Sequence, residues 1–171
     1  GFADASGRFL PLACTLNATK VTDAVARLLG VDHAGLDVLA LAAPSGAAGV
    51  SLLPYFDGER TPNLPNATGW LSGLRSDVSR EQLARAAVEG VACSLLAALD
   101  AIRAVAPVDR VVLVGGGSRS AAFREVFAGL CDVPVATADA DEAVAAGACV
   151  QAAAAAFGES HADVAGRWGL G

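Results

Sequence analysis

Residues 111–123 read VVLVGGGSRSAAF, an apolar strand-like run followed by three glycines and the start of a helix. Glycine loses more backbone freedom on folding than any other residue, so three in succession need a compensating reason. The turn can be unusually tight, or a partner can approach the main chain closely. A strand, a glycine turn and a helix start also present free N–H groups and the positive end of the helix dipole. Phosphate is the usual occupant of such a corner.

The common phosphate-binding motifs are not satisfied at this corner. The P-loop pattern fails because Lys20 is the only lysine in the chain. The dinucleotide pattern fits Gly115 and Gly117 but meets a serine where a third glycine is required. The acids nearest to the expected position, Asp139 and Asp141, precede a helix. The motifs therefore support neither a P-loop nor a dinucleotide fold.

Two interpretations of the glycines remain open from the residues alone. In one, they only let a helix pack closely on a sheet, with Ser118 or Ser120 as the N-cap. In the other, the main chain is bare because a ligand lies against it. Arg119 favours the ligand, since an exposed arginine at a glycine corner can stack on a base or contact a phosphate.

Strand-like and helix-like patterns alternate after Pro107, which predicts an α/β sheet layered with helices. The segment 158–171 shows no clear pattern, and we expect it to fray. The predicted helices are 17–29, 34–43, 79–105, 120–130 and 142–156, and the predicted strands are 49–56, 110–114 and 133–137, after two short extended segments around a turn at 4–7.

The longest predicted helix begins at a capping box, because Ser79 is followed three residues later by Gln82. Its polar side chains fall within one narrow stripe, so we expect a mostly buried helix with a single solvated edge. The stripe comprises Glu81, Gln82, Arg85, Glu89, Asp100 and Arg103.

Composition excludes several classes of protein. A net charge of −6 disfavours nucleic acid as a partner. The most apolar window, 143–157, is too short and too rich in alanine to span a bilayer. Cys93 and Cys149 lie in alanine-rich helical patterns, where we expect buried free thiols, as in a reducing cytoplasm. The chain has no methionine, so we expect it to be a piece of a longer polypeptide.

The segment 57–69 is rich in Pro, Asn and Gly and is long enough to be suspected of function. Within it we expect Glu59 and Arg60 to form a solvated ion pair. Trp70, which follows the loop, is expected to pack in a strand. His33 and His161 are isolated and are predicted to lie on the surface.

Beyond these patterns, several stretches resemble the FGGY family of carbohydrate kinases. Residues 112–120, VLVGGGSRS, and the later AAGAC at 145–149 resemble the adenosine-binding segment of the sugar-kinase, actin and heat-shock ATPase superfamily. GWLSGL at 69–74, followed by QL at 82–83 and AAVE at 86–89, is similar to the second signature of the FGGY kinases at every fixed position. LPYFDGERTP at 53–62 is similar to the corresponding loop of the xylulose-specific members.

The resemblance implies a ribonuclease-H-like, actin-like α/β fold, with a mixed sheet and helices on both faces. It implies that residues 1–171 are the C-terminal, second domain of a two-domain kinase that phosphorylates D-xylulose. The N-terminal domain, which carries the sugar site and the catalytic aspartate, is absent from this chain. We expect no kinase activity from the chain alone, because phosphoryl transfer needs both walls of the cleft.

The resemblance also implies which residues contact ATP. Gly116 and Gly117 match the family's glycine pair, where a side chain would block the nucleotide, and Ser118 and Arg119 match positions beside adenine and ribose. Asn17 matches the start of the helix that lines the nucleotide's other side. Mg²⁺ is expected to be held through the phosphates of ATP, and no catalytic or metal-ligating residue is assigned to this chain.

Alternatives remain within and outside the family. The acceptor could be glycerol, ribulose, gluconate or rhamnulose, or the chain could be a stand-alone actin-like nucleotide-binding module without catalysis. A glycine-cornered α/β protein without a nucleotide is the third possibility. If apolar surface lost its natural cover, self-association into a homodimer is expected.

Overall fold

The protein is described by a computed structural model, which covers residues 1–138 and 142–170. It divides into two compact units: one is Ala13–Thr137, and the other is Gly1–Leu12 with the segment that starts at Ala138. The predictions about Asp139 and Asp141 fall outside the described residues. The helices are α1 Thr19–Leu29, α2 His33–Ala42, α3 Arg80–Arg103, α4 Ala121–Leu130, α5 Ala143–Phe157 and α6 His161–Arg167, and the strands are β1 Phe2–Ala3, β2 Phe9–Leu10, β3 Ser51–Leu53, β4 Trp70–Ser72, β5 Val111–Leu113 and β6 Val135–Thr137.

The larger unit is built around α3. The predicted capping box is present, since Ser79 accepts from the Gln82 N–H and Gln82 accepts from the Ser79 N–H. Small side chains along α3 let α1, α2 and α4 pack against it. The buried residues of α3 in this core are Ala84, Ala87, Val88 and Ala92.

The expectation of a single solvated edge on α3 is wrong at Arg85. Its side chain is only 7% exposed, and it donates to Glu89 at 2.7 Å and to the Ser45 hydroxyl at 3.0 Å. It also lies 3.5 Å from the carboxylate of Glu125 on α4. A guanidinium can be buried at low cost only when its charge and its N–H groups are satisfied in this way.

Two strand pairs belong to the larger unit. β3 and β4 are antiparallel, with Leu53 opposite Trp70, while β5 and β6 are parallel. Leu52 and Leu71 face the core, but Trp70 is 68% exposed, so its predicted packing is wrong. Side chains alternate between the two faces of a strand, which is why burial of Leu71 turns its neighbour outward.

The smaller unit contains the antiparallel pair β1 and β2, joined by the turn expected at residues 4–7. The expectation that the C-terminal segment frays is wrong, because the segment forms α6. Ser160 caps this helix by accepting from the Asp163 N–H at 3.1 Å, and Val164 is fully buried beside Val150 and Ala154.

Strands and helices alternate from α3 to α5, and the predicted α/β class is confirmed. Gly30 ends α1 in the left-handed conformation expected of a C-terminal glycine. His33 is exposed as predicted. The expected burial of two thiols is wrong, since Cys93 and Cys149 are free and exposed.

Candidate functional site

The glycine turn leaves main chain open to solvent. Gly115 has a φ of +83°, which favours glycine at this position. A Cβ added to Gly115 or Gly116 would meet no atom within 4 Å. A Cβ on Gly117 would lie 3.1 Å from Cγ2 of Thr19, the first residue of α1. The corner is therefore not filled by side chains at its first two glycines, and its third glycine packs against α1.

The turn that follows is held by its own hydrogen bonds. Gly116–Arg119 form one turn of 3₁₀ helix. The Ser118 N–H and hydroxyl both donate to the Gly115 carbonyl, at 3.1 and 2.7 Å. Arg124 of α4 donates to the carbonyls of Ser118 and Arg119, at 2.8 and 2.9 Å. Four of the predicted site residues, Gly116 to Arg119, are thus brought together in a fixed conformation.

The N-terminus of α4, by contrast, is already occupied. Asp37 of α2 accepts from the Ser120 hydroxyl and, at 2.7 Å, from the Ala121 N–H. Ser120 is the N-cap, as one interpretation expected, and accepts from the Phe123 N–H at 3.0 Å. A carboxylate at the positive end of the helix satisfies the groups that a phosphate would bind and repels a second anion. Asp37 therefore occupies the place that a phosphate would take at this helix start.

Asn17 lies just before α1 and is fully buried. Its side-chain NH₂ group donates to the Gly58 carbonyl at 2.6 Å and to Glu59 Oε2 at 3.0 Å. Its Oδ1 atom is buried without a hydrogen-bond partner among the described residues. Asn17 thus lies at the predicted place in the chain, but its side chain contacts the loop 57–69 of this protein.

The expectation that Glu59 is solvated is wrong, because the residue is only 1% exposed. Its Oε1 atom accepts from the Leu16 and Arg60 N–H groups, both at 2.7 Å. Burial alone would raise the pKa of Glu59, but the hydrogen bonds from Asn17, Arg60 and Leu16 outweigh it and hold the pKa below its ordinary value. The carboxylate is therefore charged at neutral pH and tied to the residues before α1.

The loop 57–69 was suspected of function, but no sequence signal predicted the buried contacts of Glu59, and none pointed to Asp37 or Thr19. Glu59 and Asp37 accept hydrogen bonds from residues more than forty positions away. Thr19 and Gly117 are also far apart in sequence and become neighbours only in the folded chain. Local patterns predicted the glycine turn and the capping serine at position 120.

A separate cavity of about 340 Å³ lies between β3 and α3. Its lining includes Leu52, Glu89, Cys93 and Ser94, and it includes no residue of the glycine turn. Within residues 1–138 and 142–170, no group of three or more His, Cys, Asp or Glu side chains could hold a metal ion. In the same part of the chain, no helix combines the length and apolar character needed to cross a membrane.

The segments described above lie within a match to a known protein family. Residues 15–156 match the profile described as the C-terminal domain of the FGGY family of carbohydrate kinases. The chain belongs to the FGGY family. This matched region contains the glycine turn, α1 and the loop 57–69.

Several FGGY relatives cover nearly all of the chain. A xylulose kinase of Streptomyces coelicolor is 46% identical over 98% of this chain, and one of Haemophilus influenzae is 37% identical over 88%. The chain spans 34% and 31% of those proteins, about a third of their length.

Solved structures of FGGY kinases share the fold. A xylulose kinase from Bifidobacterium adolescentis superimposes with a TM-score of 0.81 at 48% identity, over 93% of this chain and 32% of that one. A Plasmodium falciparum glycerol kinase with ADP gives 0.68 at 18% identity over 78% of this chain and 27% of that one, a likeness in fold alone. The predicted fold class, that of the actin-like ATPases, is confirmed.

Proposed function

We propose that this chain is the nucleotide-binding second domain of an ATP-dependent kinase that converts D-xylulose to D-xylulose 5-phosphate. The uncovered main chain at Gly115 and Gly116 supports the nucleotide half of this proposal. Identity of 46% to a protein named xylulose kinase supports the sugar half. ATP supplies the transferable phosphoryl group, and Mg²⁺, held through its phosphates, neutralises their charge.

The residues of the corner bind and orient the nucleoside in this proposal. Gly116 and Gly117 present bare main chain to it, and Ser118 and Arg119 lie beside the base and ribose. Asn17 sets the start of α1, which lines the other side. Because Asp37 occupies the α4 N-terminus, the phosphates have to point away from α4.

The remainder of the kinase lies outside residues 1–171 in this proposal. An N-terminal domain of the same polypeptide supplies the sugar site and the aspartate that accepts the hydroxyl proton. The enzyme is cytoplasmic, and the isolated chain has no kinase activity, because half of a cleft cannot position both substrates. A homodimer is also part of the proposal, through apolar surface such as Trp70.

The test adds a side chain to a glycine of the turn in the complete polypeptide. In Gly116→Val, Cβ meets no atom of the protein within 4 Å, so the fold is retained and a loss of ATP affinity reports a blocked ligand site. In Gly117→Val, the new side chain also presses on Thr19. We expect both variants to lose at least about tenfold in ATP affinity by calorimetry, with xylulose affinity nearly unchanged.

The control adds the same bulk elsewhere. Ala101→Val, on an exposed position of α3, should bind ATP like the wild type. Unchanged ATP affinity in Gly116→Val would refute the nucleotide assignment.

A second acceptor is favoured by one comparison. A gluconokinase of Bacillus licheniformis is 33% identical to this chain over 73% of the chain, which corresponds to 25% of the gluconokinase. Phosphorylation of gluconate in preference to xylulose by the complete polypeptide would replace xylulose in the proposal. ATP binding without phosphorylation of either acceptor would favour the non-catalytic module.

A further inference from the structure

We propose that Glu59 is a positioning residue for the nucleotide site, acting through Asn17 on the start of α1. Glu59 and Asn17, with the main chain they bind, are called the strut below. This inference rests on the proposed function, because it assigns how one wall of the proposed ATP site is held in place.

The strut joins two segments that are far apart in sequence. The Glu59 carboxylate accepts from the Leu16 N–H at 2.7 Å and from the Asn17 side chain at 3.0 Å. Asn17 donates in addition to the Gly58 carbonyl at 2.6 Å. Hydrogen bonds to an ionised acceptor are roughly twice as strong as neutral ones. The loop therefore fixes both the main chain and the side chain just before α1.

The orientation of the Asn17 amide follows from its neighbours. Both acceptors, the Gly58 carbonyl and the Glu59 carboxylate, require the NH₂ group. A flipped amide would place Oδ1 against oxygen atoms. Since Asn17 is fully buried, its side chain serves the strut, and the surface offered to a nucleotide comes from the residues that follow it.

The strut reaches the glycine turn within two residues. Thr19 begins α1, and its Cγ2 is the atom that a Cβ on Gly117 would meet at 3.1 Å. Any displacement of residues 16 and 17 moves Thr19 relative to Gly117 and changes the width of the corner. Lys20 also pairs with Asp57 of the same loop at 3.0 Å, but both side chains are substantially exposed, so this second link is weak.

Glu59→Gln in the complete polypeptide tests the role. Glutamine keeps one oxygen but faces the Asn17 NH₂ group with a donor of its own, so the strut loosens without a change of size. We expect the KM for ATP to rise about tenfold, equivalent to about 1.4 kcal/mol, and the KM for xylulose to stay within about twofold. Glu125→Gln makes the same chemical change at a carboxylate that is 64% exposed and should alter neither constant.

Hydrogen exchange separates positioning from general stability. In Glu59→Gln, amide exchange should accelerate at residues 14–19 and 58–60, while the centre of α3 stays protected. Exchange that rises throughout the domain, with both KM values raised together, would show a merely structural role and overturn the inference. Asn17→Ala combined with Glu59→Gln should be no worse than either change alone, and additive effects would also overturn it.

The two proposals fail differently. If the wild type binds ATP but phosphorylates no sugar, the proposed function fails, and calorimetry with ATP still measures the effect of Glu59→Gln. If the wild type phosphorylates xylulose and Glu59→Gln has an unchanged KM for ATP, the proposed function stands and the strut is refuted.

Discussion

Asp37 connects α2 to the start of α4, and its replacement by alanine should destabilise the domain measurably. The change removes two acceptors, one for the Ser120 hydroxyl and one for the Ala121 N–H at 2.7 Å. It also removes a negative charge from the positive end of α4. A charge-assisted hydrogen bond contributes about 1.5–3 kcal/mol and a helix-terminal charge about 0.3–1 kcal/mol.

The net loss should lie near the lower end of these values. The Ala121 N–H becomes accessible to water when the carboxylate is absent, so it does not remain buried and unsatisfied. We expect Asp37→Ala to lower the free energy of unfolding by about 2 kcal/mol, a fall in melting temperature of roughly 4–8 °C for a domain of this size. Asp37→Asn keeps one acceptor oxygen and should lose about half as much.

Circular dichroism of the complete polypeptide, with and without sulfate, provides the assay. In Asp37→Ala the α4 N-terminus is uncovered, so sulfate should raise the melting temperature of this variant more than that of the wild type. Asp77→Ala, at an exposed carboxylate, is the matched control and should melt with the wild type. An Asp37→Ala protein that melts within about 1 °C of the wild type, or gains nothing extra from sulfate, would refute the reasoning.

Gly90→Ala should lower the free energy of unfolding by about 1–2 kcal/mol although helix propensity favours alanine, because its Cβ would lie 2.4 Å from the Leu52 carbonyl oxygen. Gly129→Ala, where a Cβ meets nothing within 4 Å, should instead raise the free energy of unfolding by up to about 1 kcal/mol. Urea titration of both variants measures the two changes, and a stabilised Gly90→Ala would show that the contact with the Leu52 carbonyl does not matter. The stability difference between the wild type and Glu59→Gln should shrink with acid. The folded-state pKa of Glu59 lies below the ordinary value of 4.5, so its contribution is complete above 4.5 and is lost as the pH falls through the lowered pKa. A difference that persists unchanged into strong acid would contradict the role given to the ionised carboxylate.

Features set by neighbouring residues could be predicted from the sequence. The capping box at Ser79, the glycine that ends α1 and the serine that caps α4 each depend on a few adjacent positions. The cap of α6 at Ser160 has the same local character, with an acid three residues later, so the missed helix had an available signal.

Features set by distant partners could not be predicted. Arg85, Glu59 and Asp37 carry charges that composition places at the surface, yet each is tied to groups about forty or more positions away along the chain. Periodicity correctly placed Arg85 on the polar stripe of α3, but it carries no information on whether other elements cover that stripe. The bare corner was recognised by its residue types, and only the structure shows that Asp37 closes the adjacent helix start.

The outward face of the β3–β4 pair gives the protein an intrinsic optical reporter. Of the two tryptophans of the chain, Trp70 lies on this face and is 68% exposed, while Trp168 is 45% exposed, so the emission of Trp70 is close to that of indole in water. Quenching by acrylamide will reach Trp70 freely unless another polypeptide shields it. Fluorescence lifetimes of a Trp168→Phe variant would therefore show when a second domain or subunit settles over this face, without any added dye.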